Sequence, residues 1–248
     1  MNLVSIITPL YNCKSSIKLT FESVLSQTFK DWEWIIVDDC SIDDSFSFAK
    51  ELAKNEPRII VLQTPMNSGS AAARNIGLKH STGRYITFLD SDDLLEANYL
   101  EEQTKFIQEN GPIITAGYKR AASKTTTNFI PRAEIDYKAL LNGNDCSCLT
   151  TMYDKSIIGE RYFAEDMKRC EDYVFWLNIL KDGYIVKGNP QVLATYNIHE
   201  GSKSSKKFKL IKYMFKVYHK TQGINWFKSW FYVIRWAFYG KKKYKNVK

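Results

Sequence analysis

Long hydrophobic runs are missing from this 248-residue sequence. No unbroken apolar stretch exceeds that of residues 230–234, far short of the ~20 residues a membrane-spanning helix needs. Cysteine is sparse and badly spaced for structural work. Cys13, Cys40, Cys146, Cys148 and Cys170 are odd in number and include no CxxC, which argues against a disulfide framework or a zinc site and fits a reducing, cytoplasmic compartment. The apolar N-terminus has neither a positive leader nor a small-residue cleavage site, so a first strand is expected there rather than a signal peptide. No internal repeat or low-complexity linker occurs, and nothing between residues 1 and 200 marks a firm domain boundary. Acidic residues are absent from one region, residues 202–248, which hold 14 Lys/Arg.

What is present describes a globular protein. Hydrophobic residues make up 44% and charged residues 25%, outside the disordered range. The length allows one sizeable core, or one domain with a small appendage. The net charge of +8 is unevenly placed: residues 1–201 carry 21 basic residues against all 27 acids. An acidic body with a basic tail suggests two jobs in two places.

Apolar runs at 4–8, 34–37, 59–62 and 85–89 read as strands. Helical spacing follows at 17–25, from Ser41 to about 55, at 70–79 and at 96–109. The second of these helices is expected to open on the capping box Ser41-Ile42-Asp43-Asp44. Four strand–helix alternations predict an α/β fold, a mostly parallel central sheet flanked by helices. Ligands of such sheets bind beyond the carboxyl ends of the strands, which here carry Pro9-Leu10-Tyr11-Asn12, Asp38-Asp39 and Asp90-Ser91-Asp92-Asp93. Residues 113–118 read as a strand, 123–128 as polar loop, and a helical pattern begins at Glu171.

Several motifs have the residue types for chemistry. Asp90 and Asp92 alternate at a strand end and supply hard oxygen ligands for Mg²⁺ or Mn²⁺; an Asp-rich helix N-terminus has the same look. Asp39 after an apolar strand suits hydrogen bonds from a ribose or a base, or a plain turn. The loop Asn67-Ser68-Gly69 leads into the small-residue helix beginning Ser70-Ala71-Ala72-Ala73-Arg74; its N-terminus and Arg74 suit a phosphate, and tight packing on the sheet explains the small residues equally well. Cys170-Glu171-Asp172 opens an amphipathic helix, where a carboxylate serves as a general base or as a helix cap. His199 is a lone histidine, for which a structural role is the default.

Taken together and in order, these segments resemble the family 2 glycosyltransferases of GT-A fold. The similarity is carried by Ser5-Ile6-Ile7-Thr8-Pro9-Leu10-Tyr11-Asn12, by Ser23-Val24-Leu25-Ser26-Gln27-Thr28-Phe29, and by Ile36-Val37-Asp38-Asp39-Cys40-Ser41-Ile42-Asp43. It continues through residues 67–77 and Gly83-Arg84-Tyr85-Ile86-Thr87-Phe88-Leu89-Asp90-Ser91-Asp92-Asp93. It is dense over the first ~110 residues and looser to ~205. Cys40 departs from the family pattern, which has Gly there. The resemblance implies that Asp39 contacts uracil in a pocket shaped by Pro9, Tyr11 and Asn12, with Ser70, Arg74 and Ser91 near the nucleotide. It implies that Asp90 touches ribose or metal, that Asp92 holds Mn²⁺ or Mg²⁺ on the diphosphate, that Asp172 is the base supported by Glu171, and that His199 and Ser202 lie near the diphosphate. Residues 151–180 look like bacterial members that build capsule, O-antigen or lipooligosaccharide.

The expected organisation is a GT-A domain over 1–205, with a nucleotide-binding half (1–110) and an acceptor-binding half (111–205), and a membrane-associating helical tail over 206–248. The expected function is inverting transfer of a hexose, galactose or glucose, from a UDP-sugar to a lipid-linked saccharide. The alternative is a non-catalytic, membrane-recruited nucleotide-sugar binder. In the tail, Phe208, Ile211, Phe215 and Tyr218 share one helical face and Lys209, Lys212, Lys216 and Lys220 another. Residues 224–239 add Trp226, Trp230 and Trp236. This pattern suits the plane of an anionic membrane surface at the inner face of the cell membrane; packing on the body, self-association and nucleic-acid binding are the competing readings, the last disfavoured by the apolar faces.

Overall fold

A computed structural model describes residues 3–122, 125–198 and 207–243. In chain order the elements are β1 (Val4–Leu10), α1 (Ile17–Leu25), β2 (Trp32–Asp38), α2 (Ser45–Ala53), β3 (Ile59–Gln63), α3 (Ser70–His80), β4 (Tyr85–Phe88), β5 (Leu94–Leu95) and α4 (Tyr99–Asn110). Then come β6 (Ile113–Ala122), β7 (Thr125–Phe129), β8 (Glu134–Ile135), α5 (Tyr137–Asn142), β9 (Thr151–Asp154), α6 (Lys155–Ile158), α7 (Glu171–Lys181), β10 (Val186–Asn197), α8 (Lys207–Lys216), a π-helical turn (Val217–Thr221) and α9 (Trp226–Lys243).

The strands make one sheet in the order β3-β2-β1-β4-β9-β6-β10-β5, with β7 on β6 and β8 on β10. The β1, β2, β3 and β4 strands are mutually parallel. Strand β9 runs antiparallel to both β4 and β6, so β6 and its parallel partner β10 point the same way as β1. The carboxyl ends of β1, β2, β4, β6 and β10 therefore share one edge. Strands β1 and β2 read as continuous apolar runs because helices cover both faces of the sheet. Neighbouring residues divide between the layers: Ile6, Trp34 and Ile36 pack with α1 and α4, and Ile7, Ile86 and Phe88 with α3 and α7. On the second face a Cβ at Gly77 would lie 2.5 Å from Ile7 Cγ2, so the small residues of α3 do serve close approach to β1.

Three expectations are corrected. Helix α2 starts at Ser45, not Ser41: the Ser41 oxygen, which a cap would turn toward the helix, accepts the Asn12 amide instead. Residues 125–129 form β7, antiparallel to β6; β-branched Thr125, Thr126 and Thr127 suit a half-exposed edge strand despite their polarity. Helix α4 starts at Tyr99, after the two-residue β5.

The tail is divided. Met214 of α8, Val217 and Tyr218 of the π-helical turn and Val233 of α9 are buried in the same core as Tyr173 and Trp176 of α7. Tyr218 donates to the Leu141 carbonyl (3.0 Å) and shares a hydrogen bond with the Tyr173 hydroxyl (3.1 Å). No helix among the described residues is long and apolar enough to cross a membrane.

Candidate active site

The end of β1 is fastened to the end of β2. Asn12, in the left-handed region at φ +50°, receives the Ile42 amide on its side-chain oxygen and donates its own amide to the Ser41 hydroxyl, both at 3.0 Å. Pro9 is half-buried and Tyr11 exposed on the same rim. Asp38 is wholly buried and spends its carboxylate on Ser41 and Gln63, a turn-forming role. Cys40, where the resemblance expects glycine, sits at φ +59°.

Asp39 has a different task. Its carboxylate accepts from the Ser68 amide at 2.8 Å, the Gly69 amide at 2.7 Å and the Thr64 hydroxyl at 3.1 Å. Gly69 is the N-cap of α3 at φ +92°, a conformation a side chain would resist. The anion nearest the start of this helix is thus the protein's own carboxylate, placed where the dipole favours it. Three donors fill most of the roughly four acceptor sites of a carboxylate.

The segment Asp90-Ser91-Asp92-Asp93 is a tight turn closed by the Asp93 amide on the Asp90 carbonyl at 3.1 Å. No helix follows until Tyr99, so helix-dipole stabilisation does not account for its acids. Thr20 of α1 donates to the carbonyls of Ser91 and Asp93 from behind. Asn197, at the end of β10, grips it from the other side, its amide on the Asp93 carboxylate (2.9 Å) and its side chain on the Asp92 carbonyl (2.6 Å). Ser91 and Asp93 are buried, while the Asp90 side chain remains 39% exposed.

Arg74, projecting from α3 and only 6% exposed, joins this turn to α7. Its Nη2 donates to Asp90 at 2.6 Å and its Nη1 approaches Glu171 at 3.4 Å. Ser70 donates to the same Glu171 oxygen at 2.6 Å. Burial opposes the Arg74 charge, but Asp90 and Glu171 outweigh it and hold the guanidinium charged. Beside Glu171, the Asp172 carboxyl is pushed up to about 6, first by burial and then by the Glu171 charge, with Arg74 pulling the other way. Such a carboxylate is suited to take a proton near neutrality. The residue before the pair, Cys170, is the N-cap of α7 at φ +61°, strain of the kind that collects at functional sites.

One unbroken run of contacts therefore leads from Asp39 through Gly69 and Ser70 to Glu171, then through Arg74 to Asp90. Sequence reasoning gave no role to Asn197, to Cys170 or to the buried Cys148, whose thiol is pushed well up by burial while Arg74 opposes the rise. Asn197 has no type signal of its own. His199 and Ser202 lie outside the described residues. Asp90 and Asp92 offer hard oxygens from one turn, and no group of three His, Cys, Asp or Glu forms a closed metal cluster among the described residues. That donor set fits an ion such as Mg²⁺ or Mn²⁺ that takes one or two carboxylates and completes its shell with substrate phosphates and water.

The family model of glycosyl transferase family 2 matches residues 5–167. The chain belongs to that family. As a family 2 glycosyltransferase it is 38% identical over 211 residues, 84% of its length and 82% of the relative's, to WfaP of Escherichia coli, a UDP-Glc:alpha-D-GlcNAc-diphosphoundecaprenol beta-1,3-glucosyltransferase. It is 36% identical over 245 residues, 97% of each chain, to TuaG of Bacillus subtilis (strain 168), named provisionally as a teichuronic acid biosynthesis glycosyltransferase. The fold is that of the GT-A enzymes: S. aureus TarS 1-349 in complex with UDP-GlcNAc superposes with a TM-score of 0.72 at 20% identity, over 98% of this chain and 73% of that one.

Proposed function

We propose that this family 2 glycosyltransferase moves a hexose, glucose or galactose, from a UDP-sugar to a saccharide carried on a lipid diphosphate, with inversion at the anomeric carbon. The observation that carries the reading is Asp172, a carboxyl pushed up to about 6 at the start of α7 and tied through Glu171 and Arg74 to the acidic turn. A base in one place and cation-binding carboxylates in another, on one rigid frame, are what a single in-line displacement requires. Glucose and a GlcNAc-diphospholipid are the favoured pair, since WfaP carries both in its name.

In this mechanism Asp172 takes the proton from an acceptor hydroxyl as that oxygen attacks the anomeric carbon. The bond from that carbon to the diphosphate oxygen breaks, and the electron pair leaves with UDP. Glu171 fixes the base through Ser70 and Arg74, and Arg74 keeps cationic charge beside the leaving group. Asp90 and Asp92 would hold Mn²⁺ or Mg²⁺, which supplies charge neutralisation for the departing diphosphate. Asp39 has capacity for one further donor, which suits uracil N3–H, with Pro9, Tyr11 and Asn12 forming the rim. Ser70 and Ser91 act on the nucleotide site by holding Glu171 and the acidic turn. His199 and Ser202 are assigned to the diphosphate from the sequence.

The test is UDP release by the full chain with UDP-glucose, UDP-galactose or UDP-GlcNAc, each with Mn²⁺, with and without a GlcNAc-diphospholipid. Acceptor-dependent release with UDP-glucose and a β-linked product is expected. Absence of acceptor-dependent release with every UDP-sugar overturns the reading, and an α-linked product overturns the inversion.

A further inference from the structure

We propose that the outward face of α9 is a docking surface for an anionic lipid bilayer, held rigidly against the helix that carries the base. Helix α9 has two apolar faces. The inner one is occupied: Val233 and Ser229 are buried, and Tyr232 and Trp236 pack partly buried against the core. The outer one is largely exposed to solvent, with Phe227 80%, Phe238 67%, Ile234 54% and Phe231 52% exposed; beside them Trp226 and Trp230 lean on the Phe215 ring of α8, at 6.3 and 4.9 Å between centroids. At 100° per residue these six side chains cover a continuous arc of about 140°. Exposed Lys228 and Arg235 follow on one edge of that arc, Arg235 with its guanidinium over the Phe231 ring at 5.5 Å.

The charge decides the occupant. Residues 207–243 contain no acid, and among the described side chains Lys212, Lys220, Lys228 and Arg235 are exposed. A second copy of the chain would set this positive surface against itself, whereas anionic head groups complement it. Aromatic side chains at the rim of an apolar, lysine-bordered helix are suited to the head-group boundary. The helix is no loose tether. Tyr239 donates to Asp145, which Arg132 grips at 2.6 Å. The preceding π-helical turn is bound to α7 through Tyr218 and Tyr173 and through Gln222, whose side chain donates to Asn178 at 3.0 Å. Docking through this face would fix the tilt of the cleft relative to the bilayer. That consequence rests on the lipid-linked acceptor proposed above; the docking itself does not.

The experiment is co-flotation of the full chain with vesicles of equal parts phosphatidylglycerol and phosphatidylcholine, and with phosphatidylcholine alone. Wild type should float with the anionic vesicles and partition about tenfold less onto the neutral ones. Replacing Phe227→Ser, Phe231→Ser and Phe238→Ser together should lower partition at least ~10-fold without changing the melting curve or UDP binding; the matching leucine triple should still float. Absence of flotation by wild type, or equal flotation of the serine triple, overturns the proposal. So does a wild-type dimer that the serine triple converts to monomer, which would assign the face to a second copy. UDP binding, read separately, keeps a failed docking surface distinct from a failed transferase reading.

Discussion

Ser70 donates a 2.6 Å hydrogen bond to Glu171, which follows it by 101 residues. That bond sets the first turn of α3 against the first turn of α7. Asp172, the proposed base, is one residue beyond the bond.

Asp172→Asn should keep UDP-sugar binding and lose transfer by roughly 10²–10⁴-fold in kcat. Calorimetric binding beside single-turnover transfer checks both halves. Transfer at the wild-type rate would remove Asp172 from the mechanism. Glu171→Gln, which keeps the shape and weakens the hold on Arg74, should cost less.

If Asp172 is the base, the acid limb of kcat/KM should fall near pH 6, since a base works only when deprotonated and burial pushes Asp172 up to about 6. Arg74 lowers that value, so Arg74→Gln should move the limb to higher pH. Stability has the opposite sign. A carboxyl raised in the folded state destabilises the fold as pH rises from ~4 through 6, so Asp172→Asn should be more stable than wild type at pH 7, on the order of 1–3 kcal/mol. A thermal melt of equal or lower midpoint would count against the strained carboxylate.

Asp92→Ala should abolish the Mn²⁺-dependent part of UDP-sugar binding while leaving the melt near wild type. Titrating donor with and without chelator measures that part directly. If chelator weakens wild type and the variant equally, the cation sits elsewhere.

Cys40→Gly should stabilise the protein by about 1 kcal/mol, because Cys40 is held at φ +59°, where a Cβ is unfavourable. Denaturant midpoints at constant m-value test it. UDP affinity should not change, since the strain lies in the turn.

The first half of the fold was legible because each signal there is local. Apolar runs ended in acids, small residues in α3 announced close packing, and the spacing of Asp90 and Asp92 survived intact. The acceptor half was less legible. Strand β10 runs twelve residues with bulges, and β7 looks polar because it is an edge. Of the candidate site, Asp39, Arg74, Asp90, Glu171 and Asp172 could be picked out from their places in the motifs. That Arg74 reaches both Asp90 and Glu171 could not, since the link depends on the starts of α3 and α7, about 100 residues apart, meeting in the fold. The Ser41 capping box failed for a related reason: the Asn12 amide, from the end of β1, took the Ser41 oxygen.

The burial of Met214, Val217, Tyr218 and Val233 has a practical outcome for anyone shortening the chain. Cutting after residue 205 would strip the cover from Tyr173 and leave the α7 hydroxyl with one partner fewer. Loss of activity in such a fragment would then report a loosened α7 and could not be read as loss of a membrane contact. Point changes on the open side of α9 are the cleaner instrument.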